Sequence, residues 1–285
     1  MTTAFLFPGL DALRRDDDFQ SLRALPEFAA HAETLGIGVD VEVRFARDAI
    51  VGTSLAIVAL QTASAQALER RGVVAGFACG YSIGDVARSA HASCFSLAEL
   101  AAFTRALPNE LPFAEGSTVA ATTQTAGDEV VRAIERLVEL GLTVSRLSPR
   151  VLTFAGSRAA AERGTEELRA RRWRARELIG CVLHAPAQRG LAAVLAHGLR
   201  TAPLRAPCRV LESAVSGRAL ASVEDLRDEL AANARMPCDF AAAVERLRAV
   251  HGVTRFVDVG PGRSAQRLLR HFDPPIEAES ALDLL

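Results

Sequence analysis

The chain has 285 residues, of which 49% are apolar and 24% charged, and its formal net charge is −1. These proportions are typical of a globular chain with a substantial buried core, and they exclude collagen-like and disordered sequences. All 33 basic residues are arginines, which excludes chemistry that needs a lysine, such as a Schiff base or a P-loop phosphate site. The charge balance also argues against nucleic acid as a partner.

Five scattered cysteines, with no Cys-x-x-Cys pair, predict free thiols and neither a disulfide framework nor a zinc site. The first nine residues lack the basic segment of a secretory signal, and no run of 18 consecutive apolar residues is present for a membrane span. We therefore expect a cytoplasmic protein with reduced cysteines, without a metal and without membrane contact.

The first part of the chain predicts alternating strands and helices. In chain order these are a strand at 3–7, a helix at 54–71, a strand at 73–78, a helix from residue 85 and a helix at 96–107. Pro8 and Gly9 end the first strand with a turn, and ligands bind at this end of a strand in open α/β sheets. Ser96 and Glu99 have the spacing of a capping box at the start of the last helix.

Between residues 117 and 184 the pattern changes to βαββαβ, the order of a ferredoxin-like unit. Its elements are predicted at 117–123, 127–140, 142–146, 150–155, 158–171 and 175–182. After it, helices are predicted at 187–200, 223–232 and 239–251, followed by a strand at 255–259 and a polar C-terminal tail. The predicted fold is thus an α/β-hydrolase-like large domain (1–115 and 186–285) with a parallel sheet, and an inserted ferredoxin-like small domain (116–185).

The strongest local signal is Gly80-Tyr81-Ser82-Ile83-Gly84, a GxSxG sequence between a predicted strand and a predicted helix. Such a turn exposes the serine hydroxyl and directs the first amides of the helix toward it. The N–H of Ile83 would be the nearest donor to the anionic oxygen of a tetrahedral intermediate. Ser82 is therefore the candidate nucleophile, although the same pentapeptide also occurs in glycine-rich turns that have no catalytic role.

A serine nucleophile needs a general base, and the chain offers six histidines. Four of them, His31, His197, His251 and His271, have helical or helix-end contexts in which an exposed histidine is the usual case. His184 differs because it follows a predicted strand directly and precedes Ala185-Pro186. An esterase of the α/β-hydrolase class remains the other interpretation, and its base would be a late histidine such as His251 or His271.

Further short motifs occur in a fixed order along the chain. They are Phe7-Pro8-Gly9-Leu10, the sequence GYSIGD at 80–85, Val182-Leu183-His184, the segment 237–240 and Val259-Gly260-Pro261-Gly262. In this order and spacing they resemble the malonyl-CoA:acyl carrier protein transacylases and the acyltransferase domains of polyketide and fatty acid synthases. The family motifs FPGQG, GHSxGE and VGPG match the first, second and last of these, and the resemblance covers nearly the whole chain.

The resemblance implies a role for each matching residue. Ser82 would be the nucleophile, and His184 would be the general base and acid. The backbone amides of Leu10 and Ile83 would form the oxyanion hole, and the backbone carbonyl of Asn233 would orient the histidine.

The resemblance also implies the substrate contacts. Arg105 falls where the family has an arginine that binds the free carboxylate of a malonyl-type group, a task suited to a planar guanidinium. Tyr81 and Leu183 would contact the substrate beside the nucleophile and the base. The chain departs from the family at Leu10-Asp11, at Tyr81 and at Asp85, where the family has Gln-Gly, histidine and glutamate.

The implied activity is transfer of an acyl group of malonyl type from coenzyme A, through an acyl-Ser82 enzyme, to the phosphopantetheine thiol of an acyl carrier protein. No cofactor would be bound. One alternative is a thioester hydrolase of the same fold, in which the arginine is typically absent, so that Arg105 favours transfer. Another is a degenerate member that binds a carrier protein without catalysis, which an intact Ser82 and His184 disfavour.

Overall fold

The computed structural model describes residues 2–10, 16–41, 44 and 46–285, with two β-sheets and helices around them. In chain order the elements are β1 (Thr3–Phe7), α1 (Asp16–Arg23), α2 (Pro26–Leu35), α3 (Ile50–Arg70), β2 (Phe77–Gly80), α4 (Gly84–His91), α5 (Leu97–Arg105), β3 (Ser117–Thr122), α6 (Asp128–Glu139), β4 (Thr143–Ser148), β5 (Val151–Gly156), α7 (Arg158–Ala170), β6 (Arg174–Ile179), α8 (Arg189–Leu199), β7 (Val210–Glu212), β8 (Ala219–Leu220), α9 (Val223–Asn233), α10 (Phe240–Ala249), β9 (Arg255–Asp258), α11 (Ser264–Leu269), β10 (Ala278–Ser280) and α12 (Ala281–Leu284).

The larger sheet has the strand order β10-β9-β1-β2-β7-β8, and all its neighbouring strands are parallel except the pair β7–β8. Strand β1 lies inside this sheet, and its five residues TAFLF are all buried. An uninterrupted apolar run of this kind is expected of a parallel strand that is covered on both faces. The predicted mixed α/β class with a parallel sheet is confirmed.

The smaller sheet has the order β4-β5-β3-β6 and is antiparallel throughout. Helices α6 and α7 pack on it over a core of their own, which includes Phe154 and Trp173. The connectivity β3-α6-β4-β5-α7-β6 follows the βαββαβ order. The division of the chain at 116 and 185 remains a prediction.

Several segments differ from the sequence prediction, and three of them concern the sheets and the site. Strand β2 begins only at Phe77, because its ladder with β1 starts where Phe77 lies beside Ala4. Strand β6 ends at Ile179, so that His184 follows an irregular segment and not a strand. The predicted polar tail contains β10, which pairs with β9 through main-chain hydrogen bonds. The sequence of β10 has no apolar pattern that would predict a strand.

Helix α3 is, among the described residues, the one helix long and apolar enough to cross a membrane. Within it, 78% of the most apolar window is buried inside the protein. The helix packs against α2 and α4, and its burial is that of a core helix.

Candidate active site

Ser82 lies on a sharp turn between β2 and α4, with φ at 58°. The glycines on either side permit the turn. A Cβ on Gly84 would lie 1.9 Å from the carbonyl oxygen of Phe7, and one on Gly80 would lie 2.8 Å from the carbonyl carbon of Gly84. The end of β1 and the start of α4 therefore approach at a distance that only glycine allows.

One other sequence motif, at Gly9, packs against this turn, and another, at Gly260, packs against the same motif's Pro8. A Cβ on Gly9 would lie 3.0 Å from the Cβ of Ser82, and one on Gly260 would lie 2.2 Å from the ring of Pro8. The turns after β1, β2 and β9 thus meet at the carboxyl ends of three neighbouring parallel strands, where ligands bind in such sheets.

His184 and Ser82 form a hydrogen-bonded pair, although 102 residues separate them in the chain. The Nε2 atom of His184 is 2.9 Å from the Oγ of Ser82, and its Nδ1 atom is 2.7 Å from the carbonyl oxygen of Asn233. A carbonyl can only accept, so Nδ1 carries the hydrogen and Nε2 is free to accept the serine proton. Burial lowers the pKa of His184 below its usual value, against the opposing effect of the Asn233 carbonyl, and this keeps the imidazole neutral.

The late histidines of the esterase interpretation lie elsewhere. The Nε2 atom of His251 is 3.2 Å from Glu212, and the Nδ1 atom of His271 is 3.1 Å from the hydroxyl of Ser148. Neither histidine makes a hydrogen bond to Ser82, so the esterase order of residues has no support in this fold.

Asn233 is held by a buried polar network that sequence reasoning missed. Its side-chain amide donates to the main-chain oxygen of Ser82 (3.2 Å) and to a carboxylate oxygen of Asp85 (2.5 Å). Asp85 pairs with Arg88 (2.6 Å), which in turn pairs with Glu229 (3.0 Å), and all three residues are buried. The available sequence signal was the position of Arg88 on the face of α4 that is otherwise buried. A buried arginine requires acidic partners, so this position predicts a buried ion-pair network.

The backbone amides of Leu10 and Ile83 are available for an oxyanion. No hydrogen bond joins either N–H to another of the described residues, and both residues line the same cavity as Ser82 and His184. The turn that carries Leu10 is anchored by Gln61, a buried residue of α3 that was not predicted and whose side-chain amide donates to the carbonyl oxygen of Pro8 (2.7 Å). Asp11, one of the departures from the family motif, lies outside the described residues.

Two cavities meet at Ser82 and His184. The larger one, of about 220 Å³, lies between helices α3, α4, α5, α8 and α9, and Leu10 and Leu183 are part of its apolar lining. The smaller one, of about 40 Å³, faces the four-stranded sheet and is lined in part by Tyr81 and Leu183. The ring of Tyr81 is buried and packs against Phe240, with 4.8 Å between the ring centres.

Arg105 is the predicted site residue that the fold does not bring to the site. It is exposed at the C-terminal end of α5 and lines neither cavity. Thr104 and Leu107 line the larger cavity instead. Successive residues of a helix point about 100° apart, so Arg105 is turned away from the face that Thr104 presents. The contact between Arg105 and a substrate carboxylate stays a prediction, which this exposed position does not favour.

The thiol nearest to the nucleophile in sequence, Cys79, is fully buried in the core. Burial raises its pKa far above the usual range, so the thiolate needed for attack is not formed. Cys79 is therefore no competitor of Ser82.

Comparisons with known proteins identify the fold. The chain is 26% identical over 296 residues to a phenolphthiocerol synthesis polyketide synthase of Mycobacterium marinum, a match that covers 97% of this chain and 14% of that protein. The acyl-carrier-protein S-malonyltransferase of Burkholderia pseudomallei superposes with a TM-score of 0.77 at 20% identity, over 100% of this chain and 99% of that one. A malonyl transacylase solved with its type II polyketide acyl carrier protein gives a TM-score of 0.75 at 20% identity, over 99% and 98% of the chains.

No family model matches the chain. The solved structures nevertheless confirm the predicted resemblance, and the chain has the fold of the malonyl-CoA:acyl carrier protein transacylases. It spans about one seventh of the polyketide synthase that it matches.

Proposed function

We propose that this chain, which has the transacylase fold, is a serine acyltransferase that moves an acyl group from a thioester to the thiol of a carrier protein. The observation that carries the proposal is the 2.9 Å hydrogen bond between the Oγ of Ser82 and a neutral His184, beside the backbone amides of Leu10 and Ile83, which have no hydrogen-bond partner among the described residues. Nucleophile, base and oxyanion donors are the parts that acyl transfer requires.

In the first half-reaction the Oγ of Ser82 attacks the thioester carbonyl, and its proton passes to Nε2 of His184. The N–H groups of Leu10 and Ile83 stabilise the negative charge on the carbonyl oxygen. The C–S bond then breaks, the leaving thiolate takes the proton from His184, and an ester of Ser82 remains.

The second half-reaction reverses these steps with a new thiol. The phosphopantetheine thiol of the carrier gives its proton to His184 and attacks the ester carbonyl. The C–O bond to Ser82 breaks, and the serine oxygen recovers a proton from His184. The Asn233 carbonyl stabilises the imidazolium in both halves, which explains how the pair works without a buried aspartate on the histidine.

The donor and acceptor come from the likeness to known enzymes. Coenzyme A as the carrier of the donor acyl group and an acyl carrier protein as the acceptor are proposed on the names of the matched structures, one of which was solved with its carrier. Those names give malonyl as the acyl group, and the apolar lining of the larger cavity in this chain does not favour it. No bound cofactor enters these steps. The five free cysteines are consistent with our further proposal of a cytoplasmic location.

Thioester hydrolysis is the second candidate function. It is favoured by the exposed position of Arg105, since the arginine was the sequence feature that argued for transfer. In that case water would take the place of the carrier thiol in the second half-reaction.

Intact-protein mass after mixing with a panel of acyl-CoA thioesters tests the proposal. We expect a mass gain equal to one acyl group on the wild type, no gain on Ser82→Ala, and loss of the adduct upon addition of a carrier protein bearing phosphopantetheine. An adduct that persists in Ser82→Ala would contradict the assignment. Rapid loss of the adduct without any carrier would identify the hydrolase.

A further inference from the structure

The larger cavity beside Ser82 is apolar almost throughout. Seventeen of its 22 lining residues are aliphatic or phenylalanine, and the polar ones are Ser54, Ser82, Thr104, His184 and Asn233. Three of these five belong to the catalytic group. The hydroxyl of Thr104 donates to the carbonyl of Leu100 in its own helix (3.1 Å). Among the described residues, therefore, no charged side chain lines this cavity.

The charged group to consider beside the lining is Arg47. Its guanidinium carbon lies 5.9 Å from the ring centre of Phe113, a residue of the lining, and Arg47 itself is exposed and outside the lining. An anion that enters the cavity loses its hydration, and no cation in the described lining replaces the lost water contacts. The transfer of such a charge from water therefore costs free energy.

The cavity is also larger than a three-carbon acyl group requires. An apolar cavity of about 150 Å³ holds a benzene molecule, whereas this one measures about 220 Å³. A second apolar cavity of about 100 Å³ lies beside it, and the two share the lining residues Val86, Leu100, Phe103, Leu195 and Leu230. Glu99, which pairs with Arg205 (2.9 Å), is part of the lining of the second cavity.

We propose that the acyl group carried by Ser82 is an uncharged hydrocarbon chain of about six or more carbons, a length set by comparison with a benzene-sized cavity. This inference rests on the proposed acyl transfer and names the substrate of that same site. The chain lies along the shared apolar lining while its thioester carbonyl is placed between Ser82 and the two backbone amides. Bond making and proton transfers are those of the two half-reactions above.

The energetics predict a length series. Each methylene transferred from water to an apolar lining raises the rate of acylation relative to free enzyme by about fourfold, until the cavity is full. A malonyl group is similar in size to butyryl but ends in a carboxylate. The carboxylate does not contribute the rate increase of a buried methylene, and it loses its hydration on entering the cavity.

Rates of acyl-enzyme formation with acetyl-, butyryl-, hexanoyl-, octanoyl- and malonyl-CoA test the proposal, measured by quenched flow and intact mass. The corresponding N-acetylcysteamine thioesters serve as donors that need no coenzyme A site. We expect the rate to rise from acetyl to hexanoyl or octanoyl, and butyryl to react faster than malonyl. A malonyl rate above the butyryl rate that falls in Arg47→Ala would overturn the inference and leave the acyltransferase in place.

Cavity variants make the test specific. Leu195→Trp fills the part shared by the two cavities and should lower the octanoyl-to-acetyl ratio at least tenfold. Leu107→Arg places a cation in the lining and should raise the malonyl-to-butyryl ratio, whereas Arg105→Ala, on the exposed side of the same helix end, should leave both ratios unchanged. Unchanged ratios in both Leu195→Trp and Leu107→Arg would overturn the inference, and a chain that no thioester acylates would overturn the proposed function with it.

Discussion

Ser82 and His184 both have φ in the left-handed region, at 58° and 53°. A residue with a Cβ adopts this conformation at a cost of roughly 1–2 kcal/mol, so the surrounding structure must impose it. Close packing at Gly84 fixes the serine, and the hydrogen bonds from Nδ1 to Asn233 and from Nε2 to Ser82 fix the histidine. The backbone thereby directs the two side chains at each other.

Replacing His184 by alanine removes the proton acceptor of this pair. We expect the rate of acyl-Ser82 formation to fall by roughly 10²- to 10⁴-fold, the range for loss of a general base. The matched variant His251→Ala, whose histidine contacts Glu212, should stay near the wild-type rate. Quenched-flow rates of the two variants check this, and a dead His251→Ala would restore the esterase interpretation.

The pH dependence of acylation follows from the same histidine. Burial lowers the pKa of His184 below 6.5, and the neutral form is the base. Acylation should therefore persist below pH 6.5 and decline only as the pH falls through the lowered pKa. A pH profile of kcat/KM with an apparent pKa at or above 6.5 would contradict this expectation.

At the scale of elements, the site depends on how closely β1, β2 and α4 approach. Gln61 of α3 holds the Pro8 carbonyl, and the buried Asp85–Arg88–Glu229 network joins α4 to α9, which supplies Asn233. Contacts between helices thus couple the turn that carries Ser82 to the Asn233 carbonyl that accepts a hydrogen bond from His184. A change in helix packing would therefore move both groups.

The Gly84→Ala variant tests that packing. Its Cβ would lie 1.9 Å from the carbonyl oxygen of Phe7. This oxygen belongs to the main chain, so a change of side-chain rotamer cannot relieve the clash. We expect the free energy of unfolding to fall by about 3 kcal/mol or more, the upper range for overpacking, as measured by urea denaturation.

Gly52→Ala is the matched control, because a Cβ there meets no atom within 4 Å and the residue lies in α3. It should be neutral or stabilising by about 0.5–1 kcal/mol. Equal effects of the two substitutions would show that the close approach of β1 and α4 does not limit stability.

At the scale of the whole molecule, the large sheet buries a histidine that the chemistry does not use. His91, at the end of α4, packs its ring against Phe5 and Phe7, with 5.6 Å between ring centres in each case. Burial, assisted by the charge of Arg209, lowers its pKa from 6.5 to about 3. In the unfolded chain the same residue binds a proton near pH 6.5.

Between about pH 6.5 and pH 3 the unfolded state therefore holds more protons at this position than the folded state does. Stability due to neutral His91 is present above pH 6.5 and is lost as the pH falls toward 3, by up to about 4 kcal/mol. We expect His91→Phe, which keeps an aromatic ring against its neighbours, to lose less stability over that range than the wild type. Urea denaturation of both proteins at pH 7, 5 and 4 measures the difference, and identical losses would exclude His91 as the cause.

Much of the fold followed from local sequence. Strand β1 was predicted at its observed bounds, and the capping box of Ser96 and Glu99 is present, because both depend on neighbouring residues alone. Helix α2 and strand β10 were not predicted. Helix α2 has no side-chain cap at its N-terminus, where Leu25 precedes it. Strand β10 lies at the sheet edge, where pairing with β9 decides its conformation.

The sequence by itself determined the candidate chemistry: a serine between glycines at a strand-to-helix turn, and a histidine in a family-like position. Only the tertiary structure decided which groups meet. The rotation of α5 turns Arg105 outward and Thr104 toward the cavity, and the side chains of α3 and α4 that support the site face inward. A local pattern encodes conformation, whereas the partner of a side chain depends on helix rotation and on the packing of segments distant in the chain.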